Sequence, residues 1–285
     1  MKKFSVAIAV AALIYAASYL AMPSYAFGMF MLVSVFAIAA SVNPSILSLS
    51  LLYAAVISRP SKNSVAAGGF AYSIGVFVAS LVSGAVLLFA LTAIGGMGAA
   101  LYFALGIFIF FIAMIEVKDY FWYGHTFSLF MPKGFLRALE DKAHKSNGSL
   151  LSGLVIGAAA AFLGLSSVGA SYLAALTLVA QSGASFSNSL ILVGFYSIAF
   201  SIPVLFIVCI TGHFTAHKRA ESWKHKNREK IRLFTGMILF ISSAFIISNA
   251  MAWAFSYVLE AGILIFAVMH IVSKAEVYSS LRRSK

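Results

Sequence analysis

The stretch Gly164-Leu165-Ser166-Ser167-Val168-Gly169-Ala170-Ser171 interrupts a long apolar run that extends from Leu150 to Ala180. Glycine and serine stand here where a plain membrane helix would carry Leu, Ile or Phe. A second interruption, Asn43-Pro44-Ser45-Ile46, lies inside another long apolar run upstream. Broken hydrophobic segments at corresponding places in two halves of a chain indicate a site near the middle of a bilayer. These two interruptions therefore define the fold that the sequence predicts.

Composition places the chain among membrane proteins. Of its 285 residues, 62% are hydrophobic and only 10% are charged. Apolar runs of about 20 residues recur along its length, and each is long enough to cross a hydrocarbon core of roughly 30 Å. We therefore predict an all-α polytopic membrane protein whose surroundings are the lipid bilayer.

The net charge of +12 is concentrated in a few basic clusters. The clusters are Lys2 with Lys3, Arg59 with Lys62, and the stretches 118–145, 218–232 and 274–285. The connections 93–99, 181–189 and 249–253 contain no Lys or Arg. This alternation is the positive-inside pattern, which predicts a multi-pass protein of the plasma (inner) membrane with a cytoplasmic C-terminus. Because the pattern explains the positive charge, we expect no nucleic-acid partner.

Six apolar segments form the predicted core, at residues 29–57, 65–92, 100–117, 150–180, 190–211 and 233–248. Pro44-Ser45 in the first aligns with Ser166-Ser167 in the fourth. Tyr72-Ser73-Ile74 in the second aligns with Tyr196-Ser197-Ile198 in the fifth at nearly the same offset. Because three is an odd number of spans, the two halves would cross the membrane in opposite directions. We therefore expect an inverted repeat of three plus three helices.

The predicted chain has three parts: residues 1–26, a six-helix transmembrane core at 29–250, and a last helix with a cytoplasmic tail at 251–285. The first part has two interpretations. Lys2-Lys3, an apolar stretch and Pro23-Ser24-Tyr25-Ala26 resemble a signal peptide with its cleavage site. The apolar stretch of about 18 residues also suffices for an uncleaved transmembrane helix. Under either interpretation, the first core segment at 29–57 begins on the outer side of the membrane.

The candidate central site consists of residues at the two interruptions: Asn43, Pro44, Ser45, Ser166, Ser167 and Gly169. Pro44 removes a backbone donor and breaks its helix, so we expect the Asn43 amide to serve the freed carbonyls. The alternative is that these residues serve packing, since small and hydroxyl residues are common in membrane bundles. The small residues Gly153, Gly157 and Ala161 repeat every four positions and predict a close helix approach.

Other polar residues are weaker candidates. His213 and His217, with His225 further on, have metal-ligand spacing if their segment is helical, but neighbouring lysines favour a solvated loop. We therefore predict no metal site. Glu260 in the last hydrophobic span, near 253–272, has two interpretations: an intramembrane site or a residue of the outer interface. The lone Cys209 is expected to act as a small hydrophobic residue.

The order and spacing of these motifs resemble the CcdA family, which is also the transmembrane part of DsbD. That family carries Pro-Cys in its first core span, where this chain has Pro44-Ser45. It carries Thr-Pro-Cys-x-Gly-Pro in its fourth, where this chain has Leu165 to Ala170. The stretches 196–203 and 118–124 are also similar, so the resemblance covers about residues 29–250. It implies a role in cytochrome c biogenesis or thiol-disulfide interchange, with electrons passing from cytoplasmic thioredoxin to extracytoplasmic acceptors.

Thiol exchange requires two cysteines, one to attack a disulfide and one to resolve the mixed disulfide. This chain has Ser45 and Ser167 at the two positions, and a serine hydroxyl forms no disulfide. The resemblance therefore implies an accessory factor in the maturation of an extracytoplasmic redox protein, with no catalytic residues and no cofactor of its own. Its expected protein partner is a thioredoxin-like or extracytoplasmic redox protein.

Two alternatives remain open at the level of sequence. The first is a transporter that coordinates a small solute or ion through Asn43 and the serines of the two interruptions. The second is a structural membrane partner without a site.

Overall fold

The computed structural model describes residues 24–58, 62–94, 98–122, 134, 137, 141, 149–211 and 214–283. Within them every regular element is an α-helix, so the all-α prediction is confirmed. The helices are α1 (Ser24–Ser41), α2 (Pro44–Ile57), α3 (Lys62–Ile94), α4 (Ala99–Phe121), α5 (Leu150–Gln181), α6 (Phe186–Thr211), α7 (Phe214–Ala250) and α8 (Ala254–Arg283).

Five of these helices are long and apolar enough to cross a membrane: α3, α4, α6, α7 and α8. The number rises to seven if α1 with α2 forms one bent span and α5 forms another. Large hydrophobic side chains such as Phe89, Phe111 and Phe162 are exposed on the outer faces. A helical membrane protein exposes such side chains to lipid, so the chain is a multi-pass membrane protein.

The bundle is built around four extensive helix contacts, with α1 and α2 taken as one unit. α3 packs along α5, α4 packs along α7, and α6 packs against α3 and against α1 with α2. Small residues permit the first pairing, because a Cβ on Gly157 would overlap the Tyr72 carbonyl group and one on Gly75 would overlap the Leu154 carbonyl oxygen. The close approach predicted from the small residues of the fourth core segment is confirmed.

The basic stretch before Arg232 differs from its prediction. It was expected to be a solvated loop, but helix α7 begins at Phe214 and continues through the whole stretch. Residues 214–235 contain no Gly or Pro, and their Ala, Glu, Lys and Arg residues are good helix formers. Ile231 on this stretch is buried, whereas Lys226 and Lys230 are exposed. The stretch is therefore an amphipathic extension of the helix.

Some predictions lie outside the described residues. They include the signal peptide or first helix before residue 24 and most of the loop between α4 and α5. Of that loop the structure describes Gly134, Arg137 and Asp141, all three helical and exposed.

Candidate functional site

The first interruption is a break between α1 and α2, whose axes differ by 60°. Helix α1 ends at Ser41, and Pro44 begins α2 at the position where its missing N–H is not needed. Asn43 caps α2, since its Oδ1 accepts a hydrogen bond from the Ser45 backbone N–H at 3.0 Å. The predicted helix break at Pro44 is therefore confirmed.

The role of the Asn43 side chain was predicted incorrectly. The amide was expected to donate to carbonyl groups freed by Pro44, but its oxygen accepts from the backbone of the next helix instead. The physical reason is that the first turn of α2 has unsatisfied N–H donors, which an asparagine oxygen satisfies well. Asn43 Nδ2 is buried and has no hydrogen-bond partner among the described residues.

The second interruption is a bend of 78° in α5, between Leu150–Leu165 and Ser167–Gln181. Ser167 is buried, and its Oγ donates a hydrogen bond to the Gly164 carbonyl oxygen at 3.0 Å. Serine hydroxyls that bond back to their own helix favour bending. Gly169 is half-buried just beyond the bend, and the Ser166 side chain lies outside the described residues.

The two interruptions meet in space. A Cβ placed on Gly164 would lie 2.5 Å from Ile46 Cδ1, so the bend of α5 touches the first turn of α2. The Ser167 hydroxyl bonds within α5 rather than across to α2. The contact between the two breaks is therefore made by a glycine and an isoleucine side chain.

Two stacked tyrosine pairs flank the breaks, one in each half of the bundle. Tyr53 of α2 stacks on Tyr72 of α3, with ring centroids 4.6 Å apart. Tyr172 of α5 stacks on Tyr196 of α6 at 4.3 Å. The sequence aligned Tyr72 with Tyr196, but it did not predict their partners. Tyr53 follows Pro44 by nine residues and Tyr172 follows Ser167 by five, which is about two and a half and one and a half turns of helix. Reasoning from sequence missed these two tyrosines.

A small cavity lies beside the bend of α5. It is lined by Ala79, Ser80, Ser83, Ala161, Leu165, Val168, Tyr172, Tyr196 and Phe200, from α3, α5 and α6. Its volume of about 10 Å³ corresponds to roughly one water molecule. The Tyr172 hydroxyl donates to the Ser80 carbonyl oxygen, which ties α5 to α3 at this point. The cavity is too small for an organic solute in this conformation.

A buried ion-pair network joins α4 to α7. Arg232 Nη1 lies 2.7 Å from Glu116 Oε1 and 3.8 Å from Asp119 Oδ2, and all three side chains are at most 1% exposed. Lys118 Nζ lies 2.8 Å from Asp119 Oδ1 at the rim. Sequence reasoning missed this network. The signal was Glu116, a carboxylate inside an apolar span, because such a group requires a partner.

A lysine from α7 reaches the first turns of α2. Lys224 Nζ lies 3.2 Å from Ser48 Oγ, which in turn donates to the Pro44 carbonyl oxygen at 2.7 Å. The sequence did not predict this contact, because Lys224 was assigned to a loop. The helical form of residues 214–232 is what brings Lys224 to α2.

The weaker candidates do not join the central site. Cys209 is half-buried on α6 beside Gly69 of α3. Glu260 is exposed on α8, one turn after Tyr257. No group of three or more His, Cys, Asp or Glu residues suited to a metal ion occurs among the described residues. His225 is exposed on α7, whereas residue 213 lies outside the described part of the chain.

The candidate site therefore consists of two touching helix breaks flanked by tyrosine pairs. It contains no pair of thiols, because Cys209 is the single cysteine of the sequence. Comparison of the chain with models of protein families, with curated proteins and with solved structures found no match.

Proposed function

We propose that the chain is a membrane protein of the CcdA/DsbD type that acts as an accessory factor in the maturation of an extracytoplasmic redox protein. The observation that carries the proposal is the contact between Gly164 and Ile46, which joins the two breaks. A thiol-transfer protein of this type needs its two reactive positions close together at such a junction. Here serines occupy those positions, so the protein would present or hold a partner without exchanging thiols itself.

The packing of the helices supports an inverted repeat in which α1 with α2 corresponds to α5, α3 to α6, and α4 to α7. α5 packs along α3, and the corresponding pairing of α6 with α1 and α2 is also present. The stacked pairs Tyr53–Tyr72 and Tyr172–Tyr196 occupy corresponding helices as well. The clusters of Lys and Arg support a plasma-membrane orientation in which the C-terminus is cytoplasmic.

Restoring the two cysteines tests the thiol-family proposal. We expect Ser45→Cys with Ser167→Cys, in a Cys209→Ala background, to form a disulfide under mild oxidation that cytoplasmic thioredoxin reduces. A disulfide requires the two Cα atoms to lie within about 7 Å, and the junction of the breaks favours that distance. Gel mobility with and without thioredoxin, thioredoxin reductase and NADPH measures both steps.

The matched control places the second cysteine away from the breaks. Ser187→Cys lies on the exposed first turn of α6, so its combination with Ser45→Cys should remain reduced under the same oxidation. A folded Ser45/Ser167 double variant that forms no disulfide would contradict the proposal. A disulfide that forms equally between positions 45 and 187 would show that disulfide formation does not depend on the contact between the two breaks.

A small-solute or ion transporter is the second candidate. It is favoured by the two touching helix breaks, because paired broken helices form the solute site in many transporters. In that case the native protein in liposomes should transport a solute, and Ser167→Ala should abolish transport. If transport is lost in this way and the cysteine pair is not reduced by thioredoxin, the transporter replaces the accessory-factor proposal.

A further inference from the structure

The N-terminal end of α2 combines the positive end of a helix dipole with polar side chains from two helices. The first turn of any α-helix leaves backbone N–H groups without helical partners, and the helix dipole makes this end positive. In α2 the Ser45 N–H is satisfied by Asn43 Oδ1, and Pro44 has no N–H. The remaining polar groups around this turn decide what it binds.

The first such group is the amide nitrogen of Asn43. The residue is 1% exposed, and its Nδ2 has no hydrogen-bond partner among the described residues. Because Nδ2 and Oδ1 share one carbon atom and Oδ1 bonds to Ser45 N, the nitrogen also lies at the start of α2. A buried donor without an acceptor is unfavourable, so Asn43 Nδ2 favours a ligand that supplies a hydrogen-bond acceptor.

The second group is the ammonium of Lys224. It lies 3.2 Å from the Ser48 hydroxyl, which is one turn after Ser45 on the same half-buried face of α2. Glu221, one turn earlier on α7, attracts Lys224 but is exposed. The lysine therefore directs its charge to the positive end of a helix, where a cation is unfavourable unless an anion accompanies it.

We propose that the first turn of α2 binds an oxyanion, a carboxylate or phosphate group, through Asn43 Nδ2 and Lys224. The N-terminus of α2 supplies a favourable dipole for such a group, and Lys224 adds a charge-assisted hydrogen bond. A cation is excluded by the charge of Lys224, and a neutral apolar ligand would leave Asn43 Nδ2 unpaired. The oxyanion comes from the headgroup of an anionic lipid or from a free solute.

This inference does not depend on the thiol-family proposal. The cysteine-pair experiment reports on positions 45 and 167, whereas oxyanion binding depends on Asn43 and Lys224. Either result can fail while the other stands.

The test uses the full-length protein in nanodiscs. In discs of phosphatidylcholine, inorganic phosphate is titrated at constant ionic strength, and the dissociation constant is obtained from the rise of the unfolding temperature. In a second arm, the protein is purified from vesicles containing phosphatidylglycerol, and the bound lipid is counted by mass spectrometry. Saturable binding of phosphate identifies a free oxyanion, and retention of phosphatidylglycerol alone identifies a lipid headgroup.

Two variants and two controls attribute the binding to this turn. Lys224→Met removes the charge, and Asn43→Asp keeps the helix cap while replacing the donor with an acceptor. Each should weaken binding by about tenfold or more, because each removes a hydrogen bond to a charged group. Lys224→Arg should preserve binding. Lys226→Met, on the exposed face of α7, should leave the dissociation constant unchanged.

Three results would overturn the proposal. The first is that the native protein shows neither saturable phosphate binding nor retained phosphatidylglycerol. The second is that Lys224→Met and Asn43→Asp, both folded by their thermal transitions, bind as the native protein does. The third is that Lys226→Met weakens binding as much as Lys224→Met, since the binding would then reflect general positive charge.

Discussion

At the scale of single residues, Arg232 has the most demanding environment in the described chain. Its guanidinium is fully buried between Glu116 and Asp119. Removing one partner of a buried ion pair costs about 3–5 kcal/mol, because the remaining charge is left uncompensated. We therefore expect Arg232→Met to lower the free energy of unfolding in detergent micelles by about that amount. Reversible unfolding in mixed micelles measures the change.

A control and a second variant separate the ion pair from general effects. Lys230→Met, on the exposed face two residues earlier, should change the stability by less than about 0.5 kcal/mol. Glu116→Leu combined with Arg232→Met should cost less than the sum of the two single variants, because the Glu116 carboxylate is no longer left without Arg232. Strict additivity would show that the two residues do not stabilise each other.

At the scale of residues, the sequence predicted local features better than it predicted which distant residues contact each other. The helix break at Pro44 follows from the chemistry of proline, which acts on its own turn. The pairing of Glu116 with Arg232 joins residues 116 positions apart, and no local rule specifies it. The capping by Asn43 was misjudged because donors at the start of α2, rather than freed carbonyls of α1, determine which atom of the amide is used.

At the scale of helices, α3 and α5 approach each other so closely that a substitution at their crossing tests the packing of the bundle. The Cβ of Gly157→Ala would overlap the backbone carbonyl of Tyr72, which cannot move aside as a side chain can. We expect this variant to lose about 1–3 kcal/mol of stability, as overpacked sites do. The same mixed-micelle unfolding measures it.

Gly194 in α6 provides the matched control, because a Cβ there would meet no atom within 4 Å. Gly194→Ala should leave the stability unchanged or raise it by up to about 1 kcal/mol, since alanine favours the helix. A Gly157→Ala variant as stable as Gly194→Ala would mean that α3 and α5 are further apart than described.

The existence of the transmembrane helices could be predicted, because long apolar runs are a strong signal. The residue at which α7 begins could not be predicted in this way. Its first 19 residues are rich in Lys and Arg, and this charge favoured a loop over a helix. Charge alone does not distinguish a solvated loop from an amphipathic helix. The lack of Gly and Pro and the apolar spacing that buries Ile231 were the better guide.

At the scale of the whole molecule, the order of the spans could be predicted but their arrangement could not. A membrane helix presents apolar side chains both to lipid and to neighbouring helices. In α5, Ala161 is 7% exposed and the adjacent Phe162 is 66% exposed, yet both are apolar. Hydrophobicity therefore cannot assign the packing faces of α3, α5 and α6. The contact between the two breaks likewise depends on how the whole bundle packs.

The orientation in the membrane leads to the last prediction, which uses single cysteines in a Cys209→Ala background. Lys226→Cys lies on the basic stretch of α7, and Ser187→Cys lies on the first turn of α6, beside the uncharged connection to α5. Both positions are exposed. If basic clusters face the cytoplasm, a membrane-impermeant maleimide should label position 187 in intact cells and position 226 only in inverted vesicles. Labelling of position 226 in intact cells would reverse the orientation. The basic extension of α7 would then face outward, where positive charge opposes the normal rule of membrane insertion.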